Sequence, residues 1–410
     1  METLSNGFLK KDFLILIIGQ IISIFGNSCL RFSIPLYLLT TSSSSIAFSL
    51  NLAISVLPTI FFSPLNGLIA DMFSKRKTMI YLDLFTCFIT LLAILTLKSN
   101  QEFVLLTGFT FLLSSIQAIY QPTVLSSIPL LMQKKDIGKA NAIVNQVQSL
   151  SNIIGPALGG FFFNYFGIQF ILIVAAFSFL FSAFVEVFMK IPELKVEKDT
   201  SLLHRIKQDT IDCFDYFKRK KILLKIAILV ALFNLFFESM LIIGLPQIIL
   251  NYLKLNSTFY GLVQSAQSFG ALLGGLLLTL FFNRFKMNRS YLLFASTVII
   301  LLPIPFILYL EIASIPSAMI ICICCFFFMI SSTIFSIMMI SFIQSMTPNV
   351  LMGKIISYVY ALTACARPLG QVMYGYLFEK YFTHTVLILL VTIFINIFIS
   401  LYAKKILSPV

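Results

Sequence analysis

Charge is scarce in this chain. Asp, Glu, Lys and Arg make up 11% of its 410 residues and hydrophobic residues 59%, against about 25% and about 45–50% in soluble proteins. Too few charges are present to cover a water-facing surface, which excludes a soluble multidomain enzyme. Histidine is scarcer still. His204 and His384 fall in different loops on opposite predicted sides, so they build no metal centre. Of seven cysteines only Cys213 lies outside an apolar run, and Cys322, Cys324 and Cys325 share one as small apolar residues. Neither a disulfide framework nor a metal site is expected. The Gly-Lys pairs at 138–139 and 353–354 have Gln133 and Pro348 where a phosphate-binding loop needs its first glycine, which excludes ATP-driven export within the chain. No nucleophile, metal ligands or paired carboxylates converge at one interface, so no enzyme and no cofactor are expected.

What is abundant is long apolar sequence. A membrane-crossing helix needs about 20 mainly apolar residues, since no backbone group can stay unpaired in about 30 Å of hydrocarbon. Twelve runs qualify: 13–38, 46–70, 78–97, 103–131, 140–163, 168–189, 222–250, 257–282, 290–310, 315–345, 354–378 and 383–403. The expected fold is therefore an all-α membrane protein, with Pro35, Pro58, Pro122, Pro246, Pro303 and Pro368 as local reasons to bend. The first run follows Lys10 and Lys11, is too long for a signal peptide and is read as a retained helix. With a cytoplasmic amino terminus, 24 of the 29 basic residues fall on the inner side and Lys98, Lys254 and Lys380 on the outer. The positive-inside rule then puts both termini in the cytoplasm of a multi-pass cell-membrane protein. The net charge of +13 thus reports topology, with the lipid bilayer as partner and no nucleic acid.

The longest polar stretch divides the chain into 1–190, a linker 191–221 and 222–410. Leu202, Leu203, Ile206, Ile211, Phe214 and Phe217 recur in the linker at roughly helical spacing, which suits either a surface amphipathic helix or a solvated connector. An internal repeat links the halves. An offset of 207 places Asn27 on Asn234, Arg31 on Glu238 and Gly67 on Gly274; an offset of 215 places Ser126 on Ser341, Gly138 on Gly353 and Lys139 on Lys354. Two homologous six-helix bundles follow.

Between the second and third runs stands Gly67-Leu68-Ile69-Ala70-Asp71-Met72-Phe73-Ser74-Lys75-Arg76-Lys77. Gly67 allows close helix approach, and Asp71 can pair with Lys75, Arg76 or Lys77, or with a helix amino end, to latch the inner side. The segment resembles the signature loop of the major facilitator superfamily, with Met72 where that family often carries Arg. Gly155-Pro156-Ala157-Leu158-Gly159-Gly160 in the fifth run is similar to the antiporter motif of drug-exporting members, with Ser151 in place of a Gly one turn earlier; small residues for helix packing are the other reading. Tyr120-Gln121-Pro122, Ile128-Pro129-Leu130-Leu131, Ala140-Asn141, Gly353-Lys354-Ile355-Ile356-Ser357 and Pro368-Leu369-Gly370 resemble the macrolide-efflux branch. The resemblance implies twelve helices in two pseudo-symmetric bundles, alternating access, and export of a small lipophilic substrate by proton antiport, as in multidrug resistance.

A charge near mid-bilayer costs roughly 2.5–3.5 kcal/mol and needs a cavity or a partner. Arg31, Glu238 and Arg367 qualify, while Asp83 and Glu186 lie near helix ends, where they are expected to reach the interface. Arg31 and Glu238 lie at similar depth, so the repeat predicts that they meet, as a proton-responsive pair or as a permanent structural bridge. Arg367 either joins proton coupling or binds carbonyls freed by Pro368. Asn27 and Asn234, one turn before Arg31 and Glu238, bond either substrate or the charges. The fourth-helix run Phe111–Ser115 lacks the Arg that family members often carry, which leaves Glu238 as the main titratable group of the core. Gln117, Gln121 and Tyr120, with Phe335 as a second aromatic wall, complete a mostly apolar substrate cavity. The protein is expected to act as a monomer. A carrier of one metabolite, such as a peptide or siderophore, and a non-transporting sensor or immunity protein are the alternatives.

Overall fold

The computed structural model describes residues 11–42, 44–62, 74–97, 99–133, 136–192, 220–281 and 284–408. Gly67, Asp71 and the periodic part of the linker lie outside them. The described residues are helical and contain no strand. We number the helices α1 (Lys11–Ser42), α2 (Ser45–Phe62), α3 (Lys75–Thr96), α4 (Glu102–Leu131), α5 (137–166), α6 (168–186), α7 (Lys221–Tyr252), α8 (Ser257–Leu280), α9 (Met287–Tyr309), α10 (Ser314–Met346), α11 (Asn349–Lys380) and α12 (Phe382–Leu407). Helices α5 and α6 form one run broken at Gly167, whose φ of 75° suits a residue without a β-carbon. Among the described residues, nine helical stretches are long and apolar enough to cross a membrane, the α5–α6 run counting as one.

Prolines act unevenly. Pro246 marks a change from α- to π-helical turns in α7, and α9 breaks at Leu302 before resuming at Pro303. Pro35, Pro58, Pro122 and Pro368 sit inside helices that run on around them.

Two compact units emerge. The first comprises Met1–Tyr37 and Ile54–Lys198, the second Leu38–Ala53 and Asp199–Val410. In the first, α3 packs along α4 and the α5–α6 run. Helix α6 turns small and polar residues inward (Ala175, Ala176, Ser182, Ala183, Glu186) and leaves Phe177, Phe181 and Phe184 exposed. Small inward residues let helix backbones approach where lipid gives no hydrophobic drive to pair. Phe13, Leu16, Met79, Tyr120, Val124, Leu131, Met132 and Met189 form one apolar core across α1, α3, α4 and the end of α6.

In the second unit α8 packs on α10, α9 on α10 and α12, and α7 on α11 and α12. Its centre is aromatic: Phe233 lies 5.2 Å from Phe294 and 6.0 Å from Phe328, and Phe294 lies 5.5 Å from Phe335, centroid to centroid. The repeat reappears as a packing contact made once in each unit. A β-carbon on Gly155 of α5 would lie 2.5 Å from the Ser28 β-carbon of α1, and one on Gly370 of α11 would collide with the Leu235 carbonyl of α7. Offsets of 215 and 207 map these two contacts onto each other.

Candidate functional site

The second unit contains a cavity of about 410 Å³ between α7, α10 and α11. Its walls are mostly apolar, with Phe233, Phe328, Met329, Phe335, Met339 and Ile340 among them, and its polar side chains include Ser332, Thr333, Ser336, Tyr360 and Thr363. Glu238 and Arg367 face it and form an ion pair at 2.7 Å, with side chains 29% and 37% exposed. Local sequence sets this geometry. Residues Asn234–Glu238 form a π-helical turn, an insertion of the kind often found at functional positions. Ser239 ties the turn down, donating from its hydroxyl to the Asn234 carbonyl at 2.8 Å and facing the Arg367 carbonyl at 3.1 Å. Close approach at Gly370 then brings Arg367 of α11 against α7. Asn234 donates to the Thr363 carbonyl at 3.0 Å, so it braces α7 on α11 at the cavity edge. Phe335 belongs to the cavity wall but is only 2% exposed.

Glu238 thus finds Arg367 as a cationic partner within its own unit. Arg31 bonds inside its own unit, Nε donating to Asn27 Oδ1 at 2.8 Å and Nη2 to Ser114 Oγ at 3.2 Å, and Asn27 donates on to Gln117 at 2.8 Å. The π-turn falls in α7 where Glu238 sits, and α11 supplies its cation. The run Phe111–Ser115, without a basic residue of its own, receives the Arg31 guanidinium at Ser114. Gln121 donates to Gln148 of α5 at 3.0 Å.

Tyr120 is 2% exposed and donates to Glu186 at 2.7 Å. Glu186 and Asp83 differ from expectation. Neither reaches the interface: they are 0% and 2% exposed, and the Ser23 hydroxyl donates to Asp83 at 3.0 Å. Distance from a helix end says how deep a residue lies but not which way it faces. The signal available was the small-residue stripe Ala175, Ala176, Ser182 and Ala183, which shares its face with Glu186.

The fifth-helix motif lies against α1. Gly155, Pro156, Gly159 and Gly160 are buried, and α1 presents Ser28, Cys29, Phe32 and Ser33 to the two glycines Gly155 and Gly159. Of the described loop-motif residues, Arg76 donates to the Val187 carbonyl at the end of α6, and Lys75, Arg76 and Lys77 open α3. A further contact was not legible in sequence. One oxygen of Glu379, at the end of α11, accepts from the Ser44 hydroxyl at 2.7 Å and the Ile46 backbone N–H at 2.8 Å, capping α2. Gln247 of α7 donates to Ser45 at 2.7 Å beside it, which is why the start of α2 groups with the second unit.

Relatives agree with this architecture. Macrolide efflux protein A of Streptococcus pyogenes is 24% identical over 297 residues, covering 72% of each chain. The uncharacterized MFS-type transporter YvqJ of Bacillus subtilis is 22% identical over 205 residues, 48% of this chain and 47% of the relative. Among solved structures, the nucleoside transporter NupG superposes with a TM-score of 0.74 at 12% identity, covering 97% of this chain and 99% of its own. A bacterial homologue of the iron transporter ferroportin, in an inward-facing state, gives 0.72 at 14% identity over 96% and 99%. At such identities the structures speak for the fold alone. The family profile of the Major Facilitator Superfamily matches residues 16–371, and the chain belongs to that superfamily, a family of multi-pass membrane transporters.

Proposed function

We propose that the protein exports small lipophilic molecules of macrolide- or drug-like character from the cell in exchange for protons. The observation that carries this reading is the mostly apolar cavity of the second unit, with the ion pair Glu238–Arg367. Such a cavity gives a greasy ligand ample contact and few directional demands, which suits a chain 24% identical to a macrolide efflux protein over 72% of its length. In this reading twelve helices cross the membrane as two six-helix halves, 1–190 and 222–410, with both termini in the cytoplasm and 191–221 as linker. The monomer is the working unit, and Gly67, Asp71, Lys75, Arg76 and Lys77 form the inner gating loop. Glu379 capping α2 is the latch on the outer side.

A second reading has one observation in its favour. The Glu238–Arg367 pair presents both charges to the cavity, which a zwitterionic metabolite such as a peptide would exploit. Purified protein in vesicles carrying an imposed pH gradient separates the two. Gradient-driven accumulation of macrolides and lipophilic dyes is the expected result. Accumulation that ignores the gradient contradicts proton exchange, and accumulation of peptides or siderophores alone favours the dedicated carrier.

A further inference from the structure

Four helices of the first unit converge on a closed polar cluster that the cavity of the second unit does not use. Helix α1 contributes Gly19 and Ser23, α3 contributes Asp83, α4 contributes Tyr120, and α6 contributes Ser182 and Glu186. Gly19 makes room for Glu186: a β-carbon there would sit 3.3 Å from the Glu186 γ-carbon. Ser182 donates to the Gly19 carbonyl at 3.0 Å and locks α6 to α1 at this level. The Tyr120 hydroxyl bonds Glu186 at 2.7 Å and also lies against Asp83, as does Ser182. Asp83 and Glu186 interact through charge with each other.

Three features set the cluster apart. First, among the described residues neither carboxyl has a cationic partner. Cys87, one turn along α3, is the remaining titratable neighbour of Asp83. Arg76, seven residues before Asp83 on α3, gives its guanidinium to the Val187 carbonyl instead. Second, one oxygen of each carboxyl, Asp83 Oδ2 and Glu186 Oε2, is buried without a hydrogen-bond partner. Third, Gln20 is 0% exposed with both its amide atoms unpartnered, and it stands on α1 between the residue that touches Glu186 and the one that bonds Asp83. The apolar core containing Met79, Tyr120 and Met189 adjoins the cluster; Met79 lies one turn before Asp83 and Met189 three residues after Glu186.

Two neighbouring carboxylates out of water and without a cation cannot both remain charged, because desolvation and mutual repulsion act in the same direction. We propose that Asp83 and Glu186 form a proton-binding site, in which one of the two carboxyl groups carries a proton beside the Tyr120 hydroxyl. As the exchanged ion that proton deepens the antiport reading and in that respect rests on it, whereas its presence at the two carboxyls does not.

Infrared difference spectroscopy of the full-length protein in lipid tests the site without any transported substrate. At neutral pH, wild type minus the Asp83→Asn/Glu186→Gln double variant is expected to show the carbonyl stretch of a protonated carboxylic acid, sensitive to deuterium exchange. Wild type minus Glu238→Gln should lack it. Tyr120→Phe keeps the packing and removes the donor to Glu186, so the band should move to higher frequency, which covers the case in which the double variant does not fold. A flat difference spectrum, or a band unmoved in Tyr120→Phe, overturns the proposal; so does loss of the wild-type band on adding sodium, which would assign the oxygens to a metal ion. Absence of pH-driven transport in vesicles alongside a normal band would instead refute the antiport reading and leave the site standing.

Discussion

In the second unit Glu238 meets Arg367 at 2.7 Å beside an open cavity, whereas in the first Asp83 and Glu186 are enclosed with hydroxyl partners and no cation among the described residues. The two units share a repeat and the Gly155 and Gly370 contacts that hold their paired helices together, so the scaffold is common and the electrostatics are not. A salt bridge that is 29–37% exposed can open to admit a ligand group at modest cost. A closed carboxyl pair exchanges only something as small as a proton. The proposed reading assigns ligand binding to the second unit and the proton to the first, on a helix contact that both units share.

The largest expected effect tests the shared scaffold. Gly155→Ala and Gly370→Ala should each destabilise the protein by roughly 1–3 kcal/mol, since overpacked interiors cost about that much, whereas Gly138→Ala, with nothing within 4 Å of the new carbon, should be near neutral. Thermal midpoints in detergent read this directly, and tolerance at one glycine alone would break the symmetry of the comparison. Next come the charges of the cavity. Glu238→Gln and Arg367→Met should each weaken substrate binding about tenfold, or about 1.4 kcal/mol, and the double variant should lose less than the two combined. Strictly additive losses in a binding titration would show that the pair does not act as a unit. The smallest effect belongs to the α2 cap. Glu379→Gln removes a charge-assisted bond worth about 1 kcal/mol, so a cysteine placed at Ser45 should react several-fold faster with an impermeant thiol reagent. Equal rates would remove Glu379 as a latch.

Hydropathy made the helices legible because lipid imposes a length. The run 103–131 became Glu102–Leu131 and 315–345 became Ser314–Met346. The kink at Gly167 fell where the fifth and sixth runs were separated. Partners were harder to read than positions. Depth arithmetic along α7 assumes 3.6 residues per turn, and the π-helical turn at Asn234–Glu238 breaks that assumption just where Glu238 sits. Carrying the 215 offset on to Gly155 and Gly370 would have brought α11, and with it Arg367, against α7. The burial of Asp83 and Glu186 was hidden for a different reason: it depends on Gly19, Ser182 and the alanines of α6, small residues whose effect appears only when the helices are packed.

The division of labour is tested most directly by measuring two rates in the same vesicles, substrate counterflow without a pH gradient and accumulation driven by one. Asp83→Asn/Glu186→Gln should lose the driven accumulation and keep counterflow, while Glu238→Gln/Arg367→Met should lose both. Driven accumulation that survives in the Asp83/Glu186 variant, or the same loss of both rates in the two variants, would contradict the account.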